Sequence, residues 1–128
     1  MWPARSSGVQ VGLWSSSEEQ GPNEMVRAAQ RAEAEGFRYV QFSDHFHPFI
    51  DRQGHSPFIW SVIGGVAATT KALIVGTGVT CPIVRIHPAI VAQAAATASV
   101  MLDGRFFLGV GTGRRSGRVV RCSRRRST

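Results

Sequence analysis

The stretch Tyr39-Val40-Gln41-Phe42-Ser43-Asp44-His45-Phe46-His47-Pro48-Phe49 decides how this chain folds. A hydrophobic run breaks off into an acid, an imidazole and, two residues on, a second imidazole. That change reads as a β-strand delivering polar side chains at its C-terminal end. In barrels of alternating strands and helices, this is the end that carries the chemistry. Histidine titrates nearest neutral pH, so Asp44-His45 makes a ready acid/base unit, with a buried structural pair as the plain alternative.

Outward from that stretch, strands and helices alternate. Val9 to Trp14 is a short apolar strand. Gly21-Pro22-Asn23 opens a helix with proline near its first turn. Met25, Val26, Ala29 and Ala32 fall on one face of it, and Gly36 is placed to end it. Phe37 to Ser43 is the second strand and Pro57 to Thr70 the second helix. Ala72 to Thr77 is the third strand, Pro88 to Leu102 an Ala-rich third helix, and Asp103-Gly104 turns into a fourth strand, Phe106 to Val110. This β-α-β-α-β-α-β order implies parallel strands joined by right-handed crossovers.

An open doubly wound sheet and a (β/α)8 barrel both begin this way. The dinucleotide fingerprint G-x-G-x-x-G, where present, points to the doubly wound sheet, and its absence favours the barrel. Gly109-Val110-Gly111-Thr112-Gly113 misses it, because Arg114 stands at the third glycine; the register from Gly111 fails at Ser116. The first strand has no Gly-rich turn at all. The expected fold is therefore α/β, the N-terminal half of a TIM barrel with four parallel strands and crossover helices. A full barrel takes about 250 residues, so at 128 residues a truncated one is expected. Two glycines in Gly76-Thr77-Gly78-Val79 suggest a bulge held close to a ligand, or an ordinary strand-to-loop turn.

The net charge of +7 suggests a nucleic-acid binder until the chain is divided. Seven of the 15 Lys and Arg residues lie at Arg114, Arg115, Arg118, Arg121, Arg124, Arg125 and Arg126. The remaining cations equal the 8 acids, which all precede Gly113. The globular part is neutral and the end is a different kind of sequence. Residues 114–128 show no helical or strand period; a basic arm and out-of-frame translation are the two readings, and the abrupt Arg, Ser and Gly content favours the second. Residues 1–8 are expected to be a disordered start without the apolar core of a signal peptide. Cys81 and Cys122 make no disulfide framework, which suits a reducing cytoplasm. No apolar run approaches the roughly 20 residues that span a membrane.

Five segments carry a resemblance: Ser43-Asp44-His45-Phe46-His47-Pro48, Gln53-Gly54-His55-Ser56-Pro57-Phe58, Gly76-Thr77-Gly78-Val79-Thr80-Cys81-Pro82, His87-Pro88-Ala89-Ile90-Val91-Ala92-Gln93-Ala94, and Gly104-Arg105-Phe106-Phe107-Leu108-Gly109-Val110-Gly111-Thr112-Gly113. In this order and spacing the set resembles the N-terminal part of the bacterial luciferase-like superfamily, nearest its F420-dependent glucose-6-phosphate dehydrogenase group. The resemblance runs from about Val9 to Gly113. It implies a (β/α)8 barrel that binds the deazaflavin coenzyme F420, with FMN as the alternative, at the C-terminal ends of the strands. It implies that His45 is the catalytic acid/base and that Asp44, Gly78, Val79, Cys81, Thr112 and Gly113 meet the cofactor. Gly78-Val79 corresponds to a bulge that often holds a non-prolyl cis peptide. Glu18 matches an acid of the substrate pocket, and Phe49 stands where the dehydrogenase has Trp, which leaves the sugar open.

The reaction implied is hydride transfer between an alcohol or sugar-phosphate substrate and F420, by a full-length homodimer with no nucleic-acid or membrane partner. Where the family has a Glu after Gly-Thr-Gly this chain has Arg114, so the chain by itself is expected to be inactive. Two rivals draw on other residues. A metal-dependent hydrolase would use His45 and His47 with His55 or His87, although amidohydrolase barrels carry that pair on the first strand. A nucleic-acid binder would use only the arginines of the tail.

Overall fold

The computed structural model describes residues 8–83 and 85–112. The Arg-rich tail, Gly113 and the expected disordered start up to residue 7 lie outside them. Four strands and three helices alternate: β1 Gly12–Ser15, α1 Pro22–Ala34, β2 Tyr39–Phe42, α2 Ile59–Thr69, β3 Ile74–Thr80, α3 Pro88–Met101 and β4 Phe106–Val110. A single 3-10 turn, Asp51–Gln53, interrupts the β2–α2 loop.

The strands stand in the order β1-β2-β3-β4 and every pair is parallel. A doubly wound sheet reverses its strand order part-way; this one advances by one strand at each crossover, as a barrel does. Right-handed crossovers then place all the helices on one face. The core lies between them and the sheet, where Met25 and Ala29 of α1 and Ile59, Val62, Ile63 and Val66 of α2 close over Val40, Phe42 and Val75. On the opposite face Tyr39 lies across Gly12 and Phe107 across Gly76. No side chain but glycine fits beneath those rings.

Local signals explain the helix ends. Pro22 opens α1, and the Glu24 carboxylate accepts the Gly21 N–H at 3.0 Å. Gly36 follows the helix at φ 83°, and Asp103-Gly104 turns at φ 55° and 77°. Asp tolerates the left-handed region better than most residues, so this turn forms readily.

Three expectations need correction. β1 starts at Gly12, because Val9 and Val11 are exposed and the ladder to β2 begins at Gly12–Tyr39. β3 continues to Thr80, because its ladder with β4 resumes beyond an irregularity after Thr77. No cis peptide occurs among the described residues, at Gly78-Val79 included. The extra length is taken up in the ladder: Gly78 and Val79 lie between the pairs Thr77–Leu108 and Thr80–Val110, opposite the single residue Gly109.

At the N-terminal ends of the strands, Glu33 of α1 binds the turn leading into β3. Its carboxylate accepts N–H groups from Lys71 (2.9 Å), Ala72 (2.6 Å) and Leu73 (2.8 Å). Arg105 donates from the start of β4 to the carbonyls of Leu73 and Thr70. Nothing in the spacing of these residues announced this clamp.

Candidate active site

Three groups of residues meet at the C-terminal ends of the strands. The first surrounds His45, whose Nδ1 pairs with the Glu18 carboxylate. Glu18 lies between β1 and α1, and its side chain is 2% exposed against 37% for His45. The carboxylate also accepts the hydroxyls of Ser16 (2.6 Å) and Ser43 (2.8 Å), and Ser43 accepts the Ser17 N–H. Burial pushes the Glu18 carboxyl up, but the hydrogen bonds from Ser16, His45 and Ser43 outweigh it and hold the group below the usual carboxylate range. An ionised carboxylate only accepts hydrogen bonds, so His45 donates to it from Nδ1.

The loop after His45 is held in place. Ser56 donates to the His45 carbonyl at 2.6 Å, and the Gln53 side chain accepts the N–H groups of Phe49 and Ile50. The Phe49 ring sits edge-on to His45, with centroids 4.8 Å apart. His47 packs on Phe46 instead of turning towards His45. Among the described residues, no group of three or more His, Cys, Asp or Glu gathers where a metal could be held.

The second group corrects the reading of Asp44-His45 as one acid/base unit. Adjacent side chains at a strand end diverge, and these two reach different partners. Asp44 is buried; it accepts Thr80 Oγ1 at 2.8 Å and pairs with Arg85 of the β3–α3 loop. Arg85, Thr80, Ser16 and Ser43 were not singled out in the sequence. Only the tertiary structure supplies Arg85 as the partner of Asp44.

The third group is the bulge. Thr77 bridges it with its hydroxyl, which both donates to and accepts from the Gly109 backbone at 3.1 Å. Val79 projects partly exposed, and a Cβ at Gly111 would come within 2.7 Å of it. Cys81 follows as a half-buried free thiol, and Thr112 is exposed past β4. Gly113 falls outside the described residues. The Gln41 side chain covers Gly78 and the Thr77 carbonyl covers Gly109, so the partly exposed Val79 is the surface this bulge offers to a flat ring such as a deazaflavin or flavin.

A one-directional α/β sheet with a carboxylate–imidazole pair at its C-terminal rim has the arrangement of the first part of a (β/α)8 barrel. The luciferase-like monooxygenase family model matches residues 6–121, and the chain belongs to that family. It is 50% identical over 105 residues to the F420-dependent hydroxymycolic acid dehydrogenase of Mycobacterium tuberculosis, covering 82% of this chain and 29% of that protein. It is 41% identical over 105 residues to the F420-dependent glucose-6-phosphate dehydrogenase of Kribbella flavida, covering 82% of this chain and 31% of the relative. A solved F420-dependent secondary alcohol dehydrogenase, in complex with an F420-acetone adduct, superimposes with a TM-score of 0.78 at 40% identity, covering 81% of this chain and 32% of the other. The chain thus spans about a third of the length of these relatives. The relatives are oxidoreductases that use F420.

Proposed function

We propose that these residues form the first part of an F420 site in an oxidoreductase that moves hydride between an alcohol or sugar-phosphate substrate and the deazaflavin. The observation that carries this reading is the Glu18–His45 pair, which leaves Nε2 of His45 free beside the strand ends. When bound, F420 supplies the carbon that exchanges hydride. Gly78 and Val79 would back its ring, and Cys81 and Thr112, just past the ends of β3 and β4, would flank it, with Gly113 as a further contact on the resemblance alone. Glu18 keeps Nδ1 of His45 protonated, so Nε2 takes the hydroxyl proton as the substrate's hydride departs. A protonated carbonyl product is thereby avoided. Phe49, edge-on to the imidazole, would line the substrate pocket.

On the same reading the protein at the length of its relatives is a homodimer acting on a small molecule, with the exposed Ile90, Val100 and Met101 of α3 available for association. The free thiol of Cys81 agrees with a reducing compartment such as the cytoplasm. The test uses the protein extended to its relatives' length, assayed with F420 and secondary alcohols or sugar phosphates. His45→Ala is expected to cut turnover by roughly 10²–10⁴-fold, the usual worth of a general acid/base, with little change in F420 affinity. Turnover close to that of the unmodified protein would make His45 a structural residue.

A further inference from the structure

We propose that Arg85 is an anion-binding residue of this site, and that Asp44 is the residue that orients it. The inference rests on the F420 reading above and deepens it. The Asp44 side chain is 1% exposed. Both its oxygens are engaged within the chain, Oδ2 by Thr80 at 2.8 Å and Oδ1 by Nη2 of Arg85. These bonds tie the carboxylate to Arg85, and without that partner Asp44 would be a buried unpaired charge. Arg85 is placed otherwise. Its side chain is 22% exposed, in the β3–α3 loop at the same rim as His45.

A guanidinium carries five N–H donors in one plane, and Asp44 occupies one edge of it. The rest can meet a second set of oxygens. Because Asp44 already holds the plane, a ligand need not order the side chain on binding. The Asp44–Arg85 pair is neutral, so the contact works through directed hydrogen bonds more than through net charge, and lysine is a poor substitute. The ligand group that fits is a phosphate or carboxylate. A deazaflavin coenzyme brings such oxygens on its side chain, and a sugar phosphate brings them on the substrate.

The experiment uses the protein at its relatives' length with two variants. Arg85→Lys keeps the charge and loses the planar fork. Asp44→Asn combined with Arg85→Gln removes both charges together, so that no unpaired ion is left in the fold. Fluorescence and calorimetric titrations employ F420, the deazaflavin riboside without the phosphorylated tail, and inorganic phosphate. F420 affinity should fall roughly 10–100-fold in both variants, the worth of one or two charge-assisted hydrogen bonds, while riboside affinity is unchanged. Unchanged F420 affinity with loss of phosphate binding also supports Arg85 and assigns the anion to the substrate. If both variants keep their circular dichroism and bind F420 and phosphate as before, the proposal is overturned and Arg85 is only a counter-ion. If the unmodified protein binds neither F420 nor the riboside, the F420 reading fails, and the phosphate titration still judges Arg85.

Discussion

His45 takes its partner from a residue 27 positions earlier in the chain, not from the acid beside it. Successive side chains at a strand end point apart, so Asp44-His45 could not act as a unit even though the two letters adjoin. The consequence is testable at Glu18. Glu18→Gln keeps the volume but can offer an amide N–H to Nδ1, which permits the wrong imidazole tautomer. Turnover of the protein at its relatives' length should fall about 10–10³-fold with KM and F420 affinity nearly unchanged. A loss confined to KM would place Glu18 in substrate binding instead. The carboxyl of Glu18 is held below the usual range in the fold, so its contribution to stability is present above about pH 4.5 and fades as the pH falls through the folded value.

Among the elements, β3 does the most to shape the site. Its first half pairs regularly on both sides, while its second half bulges at Gly78-Val79 against β4. Thr77 replaces part of the ladder lost there with its own hydroxyl. The opposite end of β3 is fixed by Glu33. Burial pushes that carboxyl up, but the N–H groups of Ala72, Leu73 and Lys71 and the charge of Arg105 outweigh it and hold it below the usual range. The sign follows from a depressed folded value: the stabilisation is full above about pH 4.5 and is lost as the pH falls through the folded pKa. Glu33→Gln should therefore cost about 1–2 kcal/mol at neutral pH, as the hydrogen bonds lose their charge assistance. Chemical denaturation from neutral pH down to acid would show the variant's deficit shrinking. A deficit independent of pH would mean that the clamp acts through shape alone.

For the whole molecule, the strand order leaves β1 and β4 each with a single partner among the described residues. Trp14 on β1 and Val110 on β4 are largely exposed, as is Phe58 at the start of α2. Unpaired parallel edges with apolar neighbours invite pairing with other chains. The 128-residue chain expressed by itself should be insoluble, or soluble only as an oligomer, when followed by sedimentation and scattering. A monomer with a sharp cooperative melt would show that four strands and three helices close a sufficient core.

The alternation of apolar runs with Gly, Pro and Asp breakers was enough to place every strand and helix to within a few residues. The reason is that these signals act locally, through φ preferences and one-face periodicity. The same holds for the choice of a barrel over a doubly wound sheet, which followed from a missing glycine pattern and agrees with the strand order observed. The fold also brings His45, Glu18 and Phe49 near one another. What the letters could not settle was pairing across long separations. That Asp44 meets Arg85 and Thr80, that Ser43 joins Glu18, and that Glu33 binds the start of β3 depends on which strand ends the crossovers bring together. Only the packed tertiary structure decides that, because a buried charge takes whichever partner the fold places within hydrogen-bond reach.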